Sequence, residues 1–411
     1  GSRNTACGYK ALEDTGNGTD NTAVGWQALD DCASNNNTAV GSGALMLNTT
    51  GTENVAVGAE ALDTNVTGST NTACGFRALE ANTDSGNSAF GAYALYVNTT
   101  GTDNTAVGKS ALGANTTGND NVAIGREAAR QNTTGSNNVA IGHEALEKNT
   151  TGANNTAVGE GSLRNGTTGN YNVSVGNGSM SSATATGDNN CAVGRNSLYS
   201  VTGGNHNTAV GGSAALYGCT TGTYNTAVGV DAGQNVSSGS NMTCIGYQAG
   251  TSSGAGGIFV SESNRVILGN SSVTSLIAQV ALTVASDERD KTDITDFTKG
   301  LDIINALRPV TYKWDNRVRY GTEENPYGTP DGSKKSSKLN IGLIAQEVET
   351  VEKANGYASS DDDMLFINKS TDGLNYGLTY ERLIPALINA VKELSAKNTA
   401  LEARIATLEG S

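Results

Sequence analysis

Asn21-Thr22-Ala23-Val24-Gly25 is one copy of a short motif that recurs along the first part of the chain. Its glycine returns fifteen times at spacings of 16 to 18 residues, and each copy leads into an apolar step, usually Ala-Leu, and a polar turn. Such a unit is too short for the helix pairs of ankyrin or tetratricopeptide repeats, and it fits one coil of a β-solenoid with two short extended pieces and two turns. The motif glycines are Gly8, Gly25, Gly41, Gly58, Gly75, Gly91, Gly108, Gly125, Gly142, Gly159, Gly176, Gly194, Gly211, Gly229 and Gly246.

The residue types within one coil indicate which side faces the core. Side chains alternate along a strand, so Ala23 points to one face, where only a small side chain fits, and its two neighbours point to the other. Leu29 supplies a larger apolar filler. We expect Asn21 to tolerate left-handed dihedral angles and to bond its own turn, and Gly25 to adopt positive φ. Stacked coils would then share a continuous core that one coil cannot build.

The repeat resembles the head of trimeric autotransporter adhesins, whose coils carry a related Asn-Ser-x-Ala-Ile-Gly motif. The resemblance covers roughly residues 3–250, and it departs in the longer coil and in a recurrent Thr-Thr-Gly turn. It implies a left-handed parallel β-roll in a three-chain bundle. Such repeats act either as a spacer or as a surface for carbohydrates and receptors. No repeat here carries a long insertion that would build a pocket, which favours the spacer.

Composition and charge exclude several classes of protein. Of the 411 residues 53 are glycine and 5% are aromatic, which suits thin stacked cores of small side chains. Both parts of the chain are acidic, with 10 Lys and Arg against 19 Asp and Glu before residue 286, and 16 against 21 from there on. We therefore expect no nucleic-acid partner. We also expect no membrane insertion, because no apolar run approaches the roughly 20 residues of a span.

The cysteines and the start of the chain carry smaller expectations. Cys7, Cys74, Cys191 and Cys244 fall in the short strand, where Thr, Ala or Val stands in other coils, so we interpret them as small apolar fillers. No Cys or His spacing suggests a metal site, and no cofactor is expected. Gly1-Ser2 has the form of a tag-removal scar, so we expect the natural protein to extend further toward its N-terminus.

A second signal is the stretch SDERDK at residues 286–291, where the repetitive composition gives way to an ordinary mixed one. A serine hydroxyl attacks a carbonyl poorly unless a neighbouring group takes its proton. A lysine serves as that base only when uncharged, which requires burial or a nearby cation, and Arg289 is such a cation. The only histidines, His143 and His206, lie in the repeat, which disfavours a Ser-His-Asp triad.

Geometry limits how Ser286 and Lys291 can meet. Residues i and i+5 point about 140° apart on an α-helix, so the pair cannot form along one helix face. Ser286 must lie in a cap or a loop, or it must meet Lys291 of another chain, and the second arrangement would make the chemistry wait for assembly. The alternative without chemistry is that Ser286 caps a helix that has acidic residues in its first turn.

The pattern Ser286-Asp287-x-Arg289-x-Lys291 resembles the self-cleavage signature of the intramolecular chaperone at the C-terminus of endosialidase-type phage tail spikes and tail fibres. Such chaperones trimerise, guide the folding of the fibre ahead of them, and cut themselves off immediately before the motif serine. The resemblance implies that Ser286 is the nucleophile, that Lys291 is its base, and that Asp287 and Arg289 have supporting roles. The scissile bond would be Ala285-Ser286.

The rest of the tail continues this resemblance. Residues 301–314 carry the family's Leu-x-x-Ile-x-x-Leu-Arg-Pro-Val-x-Tyr-x-Trp block, which predicts a short helix broken before the proline and then a strand. Residues 341–348 also resemble the family, as a strand that passes into a helix. Ahead of the motif, residues 273–284 are apolar and β-branched, and we expect them to form strands that close the end of the fibre.

The last helix pattern, over about residues 380–409, carries a heptad seam. Val and Ile at a with Leu at d favour a dimer by the rules for peptides, whereas the resemblance implies a trimer. We side with the trimer because more buried surface depends on it, and we expect the polar a residue to fix the register. The a positions are Val391, Asn398 and Ile405, and the d positions are Leu387, Leu394, Leu401 and Leu408.

These patterns predict a mainly β chain in three parts: a trimeric, β-roll-like parallel β-solenoid shaft at residues 1–250, a fibre-end β segment at 251–285, and a small self-cleaving α+β chaperone at 286–411 that ends in a trimeric coiled coil. We interpret the chain as a bacteriophage tail-fibre or tail-spike precursor. It would be assembled in the host cytoplasm, become part of the virion tail, and attach to a host cell-surface glycan or protein receptor. Its enzymatic activity would be that of a serine endopeptidase that acts once, on itself.

Two other classes of protein are alternatives. A bacterial trimeric surface adhesin with a structural, non-cleaving C-terminal coiled coil fits the repeat, and it predicts a membrane anchor after that coil. A glycan-degrading spike enzyme predicts paired catalytic carboxylates on a domain outside the repeats. Residues 1–285 show no sequence pattern of such a domain.

Overall fold

The computed structural model describes residues 1–14, 16–181, 184–251, 260–273, 275–277, 279, 286–321, 327–360, 363–369 and 375–410. The chain forms two compact units, Gly1–Asn270 and Ser271–Ser411. The division between them falls between the boundaries predicted after residues 250 and 285.

The first unit is a stack of short parallel strands, one for each coil. The strands are β1 Thr5–Cys7, β2 Thr22–Val24, β3 Thr38–Val40, β4 Val55–Val57, β5 Thr72–Cys74, β6 Ser88–Phe90, β7 Thr105–Val107, β8 Val122–Ile124, β9 Val139–Ile141, β10 Thr156–Val158, β11 Val173–Val175, β12 Cys191–Arg195, β13 Thr208–Ser213, β14 Thr226–Val228, β15 Met242–Ile245 and β16 Arg265–Leu268. They form one sheet in which each strand pairs with the next along the chain, and Ala23 of β2 lies in register with Ala6 and Ala39. The predicted parallel β-solenoid is confirmed.

Alternation along the strand sends one small residue of each coil into the core. Ala23 and Ala39 are fully buried, whereas Val24, on the opposite face of the strand, is 38% exposed. The Ala-Leu step fills the core from the other side of the coil, where Ala44 and Leu45 are fully buried. Because these residues recur in register, the side chains form continuous columns through the shaft.

The second side of each coil is not a strand, which corrects the expectation of two extended pieces. Gln27 and Leu29 have φ of 50° and 55°, a left-handed conformation that costs an L residue roughly 1–2 kcal/mol. The backbone of this side still bonds between coils, since the Leu29 N–H donates to the Ala44 carbonyl at 3.0 Å and the Gln27 N–H donates to the Tyr9 carbonyl at 2.9 Å. These hydrogen bonds and the burial of the leucine side chain offset the free-energy cost of the left-handed conformation.

The motif asparagine has a different role from the one expected for Asn21. The left-handed residue is the one before it, such as Asp103 with φ of 57°. Asn104 is buried; its backbone N–H donates to Asn87 Oδ1 at 3.0 Å, and its Nδ2 donates to the Gly118 carbonyl at 2.8 Å. The same bonds repeat from coil to coil, so the asparagines form a buried ladder that satisfies the turns and aligns neighbouring coils.

The motif glycine takes positive φ, as expected. Gly25 has φ of 144°, and a Cβ added to it would lie 2.4 Å from the Gly41 carbonyl oxygen of the next coil. No other residue fits both that dihedral angle and that approach.

The interpretation of the cysteines as apolar fillers is confirmed only for Cys244, which is buried. Cys7 and Cys74 are exposed and Cys191 is partly exposed, because their strand positions face outward. Burial raises the pKa of the Cys244 thiol to about 11. All six cysteines lie in the described part of the chain, and each is a free thiol.

The described residues of the expected closing strands do not form strands. Val273, residues 275–277 and Gln279 lie outside any strand, and Leu276 and Ile277 are 80% and 90% exposed. The other residues of the run 273–284 lie outside the described residues. The last described rung of the shaft is β16, which pairs in parallel with β15.

The second unit has α+β composition, as predicted. Its described elements are α1 Leu301–Ala306, β17 Val310–Tyr312, β18 Asn340–Gly342, α2 Ala345–Ala354, β19 Ile367–Lys369, β20 Tyr376–Leu378 and α3 Ile384–Glu409. The pairs β17–β18 and β19–β20 are antiparallel. The helix and strand predicted over residues 301–314, and the strand and helix over residues 341–348, are confirmed.

A small core ties these elements together. Ile303 of α1, Val348 of α2, Ile367 of β19 and Ala386 of α3 are buried in one apolar cluster. Glu393 of α3 also accepts the N–H of the first α1 residue at 3.2 Å, which satisfies one of the free donors at that helix start. The long C-terminal helix is therefore anchored to the unit through its first turns.

Glu352 of α2 is a buried carboxylate. Its Oε1 accepts the Phe366 N–H, and its Oε2 has no hydrogen-bond partner among the described residues. Burial is the largest influence on this group, and it raises the pKa of Glu352 in spite of the Phe366 hydrogen bond.

We expect Glu352→Gln to remove a pH-dependent loss of stability. A carboxyl whose pKa is raised on folding favours the folded state at low pH, and this contribution is lost as the pH rises from the unfolded pKa through the folded one. The variant should therefore gain stability relative to the wild type toward neutral pH. Thermal unfolding followed by Trp314 fluorescence in a Trp26→Phe background measures this unit separately.

Glu349→Gln is the matched control. A hydrogen bond from Lys353 lowers the pKa of Glu349, so its contribution to stability is present above the unfolded pKa and is lost as the pH falls through the folded one. This variant should lose stability toward neutral pH. Equal pH dependence of stability in the two variants would contradict the opposite pKa shifts of Glu352 and Glu349.

Candidate active site

The residues of the SDERDK stretch form a short turn. Ser286 and Asp287 precede a single 3-10 turn at Glu288–Asp290, and Lys291 leaves it in an extended conformation. Asp287 is the N-cap: its ψ is 134° and its Oδ1 accepts the Arg289 N–H at 2.9 Å. Aspartate suits this position because its short carboxylate satisfies a free donor at the start of a helical turn. The cap is therefore Asp287 rather than Ser286.

The turn brings Ser286 and Lys291 together within one chain. Lys291 Nζ donates a hydrogen bond to Ser286 Oγ at 2.7 Å. The two residues are five apart, a spacing that separates side chains on an α-helix. Here Asp287 and Lys291, on either side of the 3-10 turn, have extended backbone conformations, and the Lys291 side chain reaches Ser286. Of the two arrangements that the sequence allows, the described geometry contains the one within a chain.

Asp287 and Arg289 form a two-pronged ion pair across the turn. Arg289 Nε and Nη2 donate to Asp287 Oδ1 and Oδ2 at 3.0 and 2.6 Å. The side-chain hydrogen bonds from Arg289, followed by its backbone N–H, hold the pKa of Asp287 below its usual value. The same pairing raises the pKa of Arg289. The described contacts of Arg289 thus stabilise the turn through Asp287. From the sequence we expect Arg289 to act instead as a cation near Lys291.

Solvent reaches the whole stretch in a single chain. Residues 286–291 are exposed, and Arg289 is exposed over 88% of its side chain. A lysine acts as a general base only in a setting that disfavours its charged form, usually burial. One chain supplies the contact between serine and lysine but leaves both residues exposed. Ala285, which carries the carbonyl of the predicted scissile bond, lies outside the described residues.

Metal ligation and membrane spanning find no support in the described part of the chain. That part contains no group of three or more His, Cys, Asp or Glu side chains placed to hold a metal ion. Among its helices, none is both long and apolar enough to cross a membrane.

Comparison with known proteins bears on the C-terminal region. The model of a peptidase family described as the chaperone of endosialidase matches residues 286–357. The matched region begins at Ser286 and includes α1, β17, β18 and α2. No curated protein and no solved structure matches the chain.

The fold and this match together indicate a class: a fibrous chain of the phage tail-fibre type, with a β-solenoid followed by a chaperone region. More particularly, residues 286–357 match the model of the endosialidase chaperone family, and a match to that family implies an autoproteolytic peptidase domain and suggests a trimeric assembly.

The pairing of Asp287 with Arg289 goes beyond what the sequence pattern predicts. Two signals in the sequence point to it: aspartate is a preferred N-cap, and an arginine two residues later can reach back across one tight turn. Neither signal distinguishes a 3-10 turn from the first turn of a longer helix, and the contact across the turn depends on that difference.

We expect Arg289→Gln and Arg289→Lys both to slow the predicted self-cleavage. Without the two-pronged pair the turn is free to open and Lys291 to move away from Ser286, and misplacement by about 1 Å can cost on the order of 100-fold in rate. Cleavage rates on denaturing gels measure the effect. Arg404→Gln, in the exposed part of α3, is the control. Full rate in the lysine variant would show that Arg289 contributes only charge.

Proposed function

We propose that this chain is the precursor of a bacteriophage tail fibre or tail spike whose C-terminal region assembles three chains and then cuts itself off between Ala285 and Ser286. The observation that carries the proposal is the 2.7 Å contact of Lys291 Nζ with Ser286 Oγ, at the first residue of the matched chaperone region. The same residue is the one before which the sequence pattern predicts the cut.

The chemistry follows from the position of the serine. Uncharged Lys291 takes the proton of Ser286 Oγ, and the oxygen attacks the Ala285 carbonyl carbon. The Ala285–Ser286 C–N bond breaks as the nitrogen takes a proton from the lysine, which leaves Ala285 joined to Oγ as an ester. Water then adds to the ester carbonyl, and its cleavage yields the Ala285 carboxylate and the free Ser286 hydroxyl. Each step needs one proton carrier, and Lys291 serves in both directions.

The exposure of the site supports an order of events. The lysine needs a drier setting than one chain provides, and packing against other chains would supply it. Cleavage would then follow assembly even though the serine and the lysine belong to the same chain. An uncut monomer would be protected because its Ser286 and Lys291 remain exposed to solvent.

The exposed seam of α3 supports the three-chain state. Leu387, Leu394, Leu401 and Leu408 are 46%, 48%, 53% and 72% exposed along the described helix. Apolar side chains at heptad spacing on the surface of a helix are typical of a coiled coil without its partners. We propose that two further copies cover this seam and that Asn398 fixes their register.

The remaining roles are proposed on the same basis. The shaft would serve as a rigid spacer on the virion tail after assembly in the host cytoplasm, with attachment to a host cell-surface glycan or protein receptor. Its stacked coils suit this role because each coil is held only by its neighbours, so length is added without a larger core.

A denaturing gel of the wild type beside Ser286→Ala tests the proposal. The wild type should give fragments of 285 and 126 residues, the shorter one beginning at Ser286, and the variant should give one chain of 411 residues. N-terminal sequencing of the shorter fragment locates the cut. An intact wild-type chain, or a variant that is cut at the same bond, would overturn the peptidase assignment.

A further inference from the structure

The outward face of the strands carries an apolar stripe along the whole shaft. The outer stripe is defined as Val24 and the residues in register with it in β1 to β16. It consists of nine Val, three Ile, two Cys, one Phe and one Leu. Val24, Val107, Ile245 and Leu268 are 38%, 37%, 44% and 48% exposed. An outward strand position that faces water is usually polar, so a stripe without one polar residue indicates a covered face.

The positions beyond the strand are not apolar in this way. Two residues after the stripe, the residue type changes from coil to coil, from the exposed aromatic residues Trp26 and Phe76 to Lys109, Arg126 and His143. On the turn before the motif asparagine they carry charged residues such as Asp103 and Asp120. These positions vary in size and charge from coil to coil, as expected of surfaces in contact with solvent.

Charge decides which face can lie on a symmetry axis. In a three-chain bundle whose axis runs along the shaft, residues close to the axis meet their own equivalents at the same height. A charged residue there would face two like charges at close range, which is unfavourable. Both outward positions of the strand are uncharged in all sixteen strands, but the position of Thr22 carries Thr or Ser in ten of them. The outer stripe is thus the part of this face best suited to the axis.

The spacing of the rungs indicates which partner covers the outer stripe. Rungs of a sheet are about 4.8 Å apart, and the stripe repeats an apolar side chain at each of sixteen rungs. A partner that contacts every rung must have the same spacing over the same length. Another copy of this chain meets that condition without further assumption.

We infer that the outer stripe is the surface through which the three shafts pack against each other, in register, around a common axis. This inference rests on the proposed three-chain assembly and specifies its interface in the shaft, far along the chain from the coiled coil. Cys74 belongs to the stripe, so its three copies would lie next to one another near the axis.

Cysteine cross-linking tests the inference with the full chain. A variant with Cys7→Ser and Cys191→Ser keeps Cys74 as its one accessible thiol, because Cys32, Cys219 and Cys244 are buried. A short bis-maleimide should join two chains through Cys74 in nearly every trimer. The control adds Cys74→Ser and Ser42→Cys, which moves the thiol to an exposed position just beyond the stripe. The control should give no two-chain product.

The mass of the native protein separates the two proposals. A three-chain mass with cross-linking only through Cys74 supports the inference. A three-chain mass without a Cys74 product, or with equal product from the Ser42→Cys control, overturns the inference and leaves the proposed trimer intact. A single-chain mass overturns both.

A second pair of variants gives an independent measurement. Val107→Asp places a charge on the outer stripe, and Lys109→Asp places one two residues away on the same coil. The first should dissociate or greatly destabilise the three-chain shaft, whereas the second should leave its mass and melting temperature close to those of the wild type. Equal effects of the two substitutions would overturn the inference.

Discussion

Lys291→Met is expected to reduce self-cleavage by at least about 100-fold, because removal of a positioned general base typically costs 10²–10⁴ in rate. The variant keeps an unbranched side chain of similar length but cannot take the proton of Ser286. Lys291→Arg should be equally inactive, since an arginine stays charged and does not act as a base. The fraction of cut chains on denaturing gels over time measures both.

Two controls make this prediction specific. Lys338→Met changes an exposed lysine of the same unit and should be cut at the wild-type rate. Native mass should show that the Lys291 variants still assemble, because the contact with Ser286 lies on an exposed turn and not in the core. Wild-type cleavage by Lys291→Arg would mean that the lysine supplies charge alone, and the Ser/Lys mechanism would be wrong.

The second large effect concerns assembly. A chain that ends at residue 285 is expected to fail to form three-chain shafts, whereas Ser286→Ala, which keeps residues 286–411 attached, should form them. The physical reason is kinetic: the strands of the shaft pair with neighbours in sequence, but three shafts must also start in register. A coiled coil at one end fixes that register and lowers the entropy cost of bringing distant segments together.

A narrower variant separates the coiled coil from the rest of the chaperone. Leu394→Asp with Leu401→Asp places charges on the exposed seam of α3 and should reduce the yield of trimers without unfolding the unit, whose core lies around α1, α2 and the first turns of α3. The yield of three-chain species, measured by light scattering, is the readout. Normal yield from the chain ending at residue 285 would show that the shaft aligns itself.

Sequence alone predicted most of the shaft because its signals are periodic. The return of the motif glycine fixes the coil length, and alternation around Ala23 identifies the inward face. The second side of the coil was predicted incorrectly as extended. Leucine has no preference for left-handed φ, so nothing in the sequence marks Leu29 as left-handed; the conformation follows from bonding to the next coil.

The asparagines and cysteines show a similar limit. Asn104 belongs to a residue type that commonly takes turn conformations on its own, yet in the stack its side chain serves the neighbouring coils instead. Cys74 is a small apolar residue by composition, but its strand position faces outward. In both cases the sequence gives the residue type, whereas the direction of the side chain is determined by how neighbouring coils pack.

The residues of the candidate site were predicted from the sequence, but the backbone conformation that brings them together was not. The pattern named Ser286, Asp287, Arg289 and Lys291, and geometry required a cap or loop. The ion pair of Asp287 and Arg289 depends on a single 3-10 turn, which sequence does not distinguish from a longer helix. We propose that assembly provides the surroundings in which Lys291 acts as a base, and a single sequence does not specify contacts between chains.

A time course during cell-free synthesis shows whether cleavage follows assembly of the three chains. Samples separated first by native size and then under denaturing conditions show which species contains cut chains. We expect the 285-residue fragment to appear only in the three-chain fraction and single chains to remain at 411 residues. A 285-residue fragment accumulating among single chains before any trimer forms would contradict it.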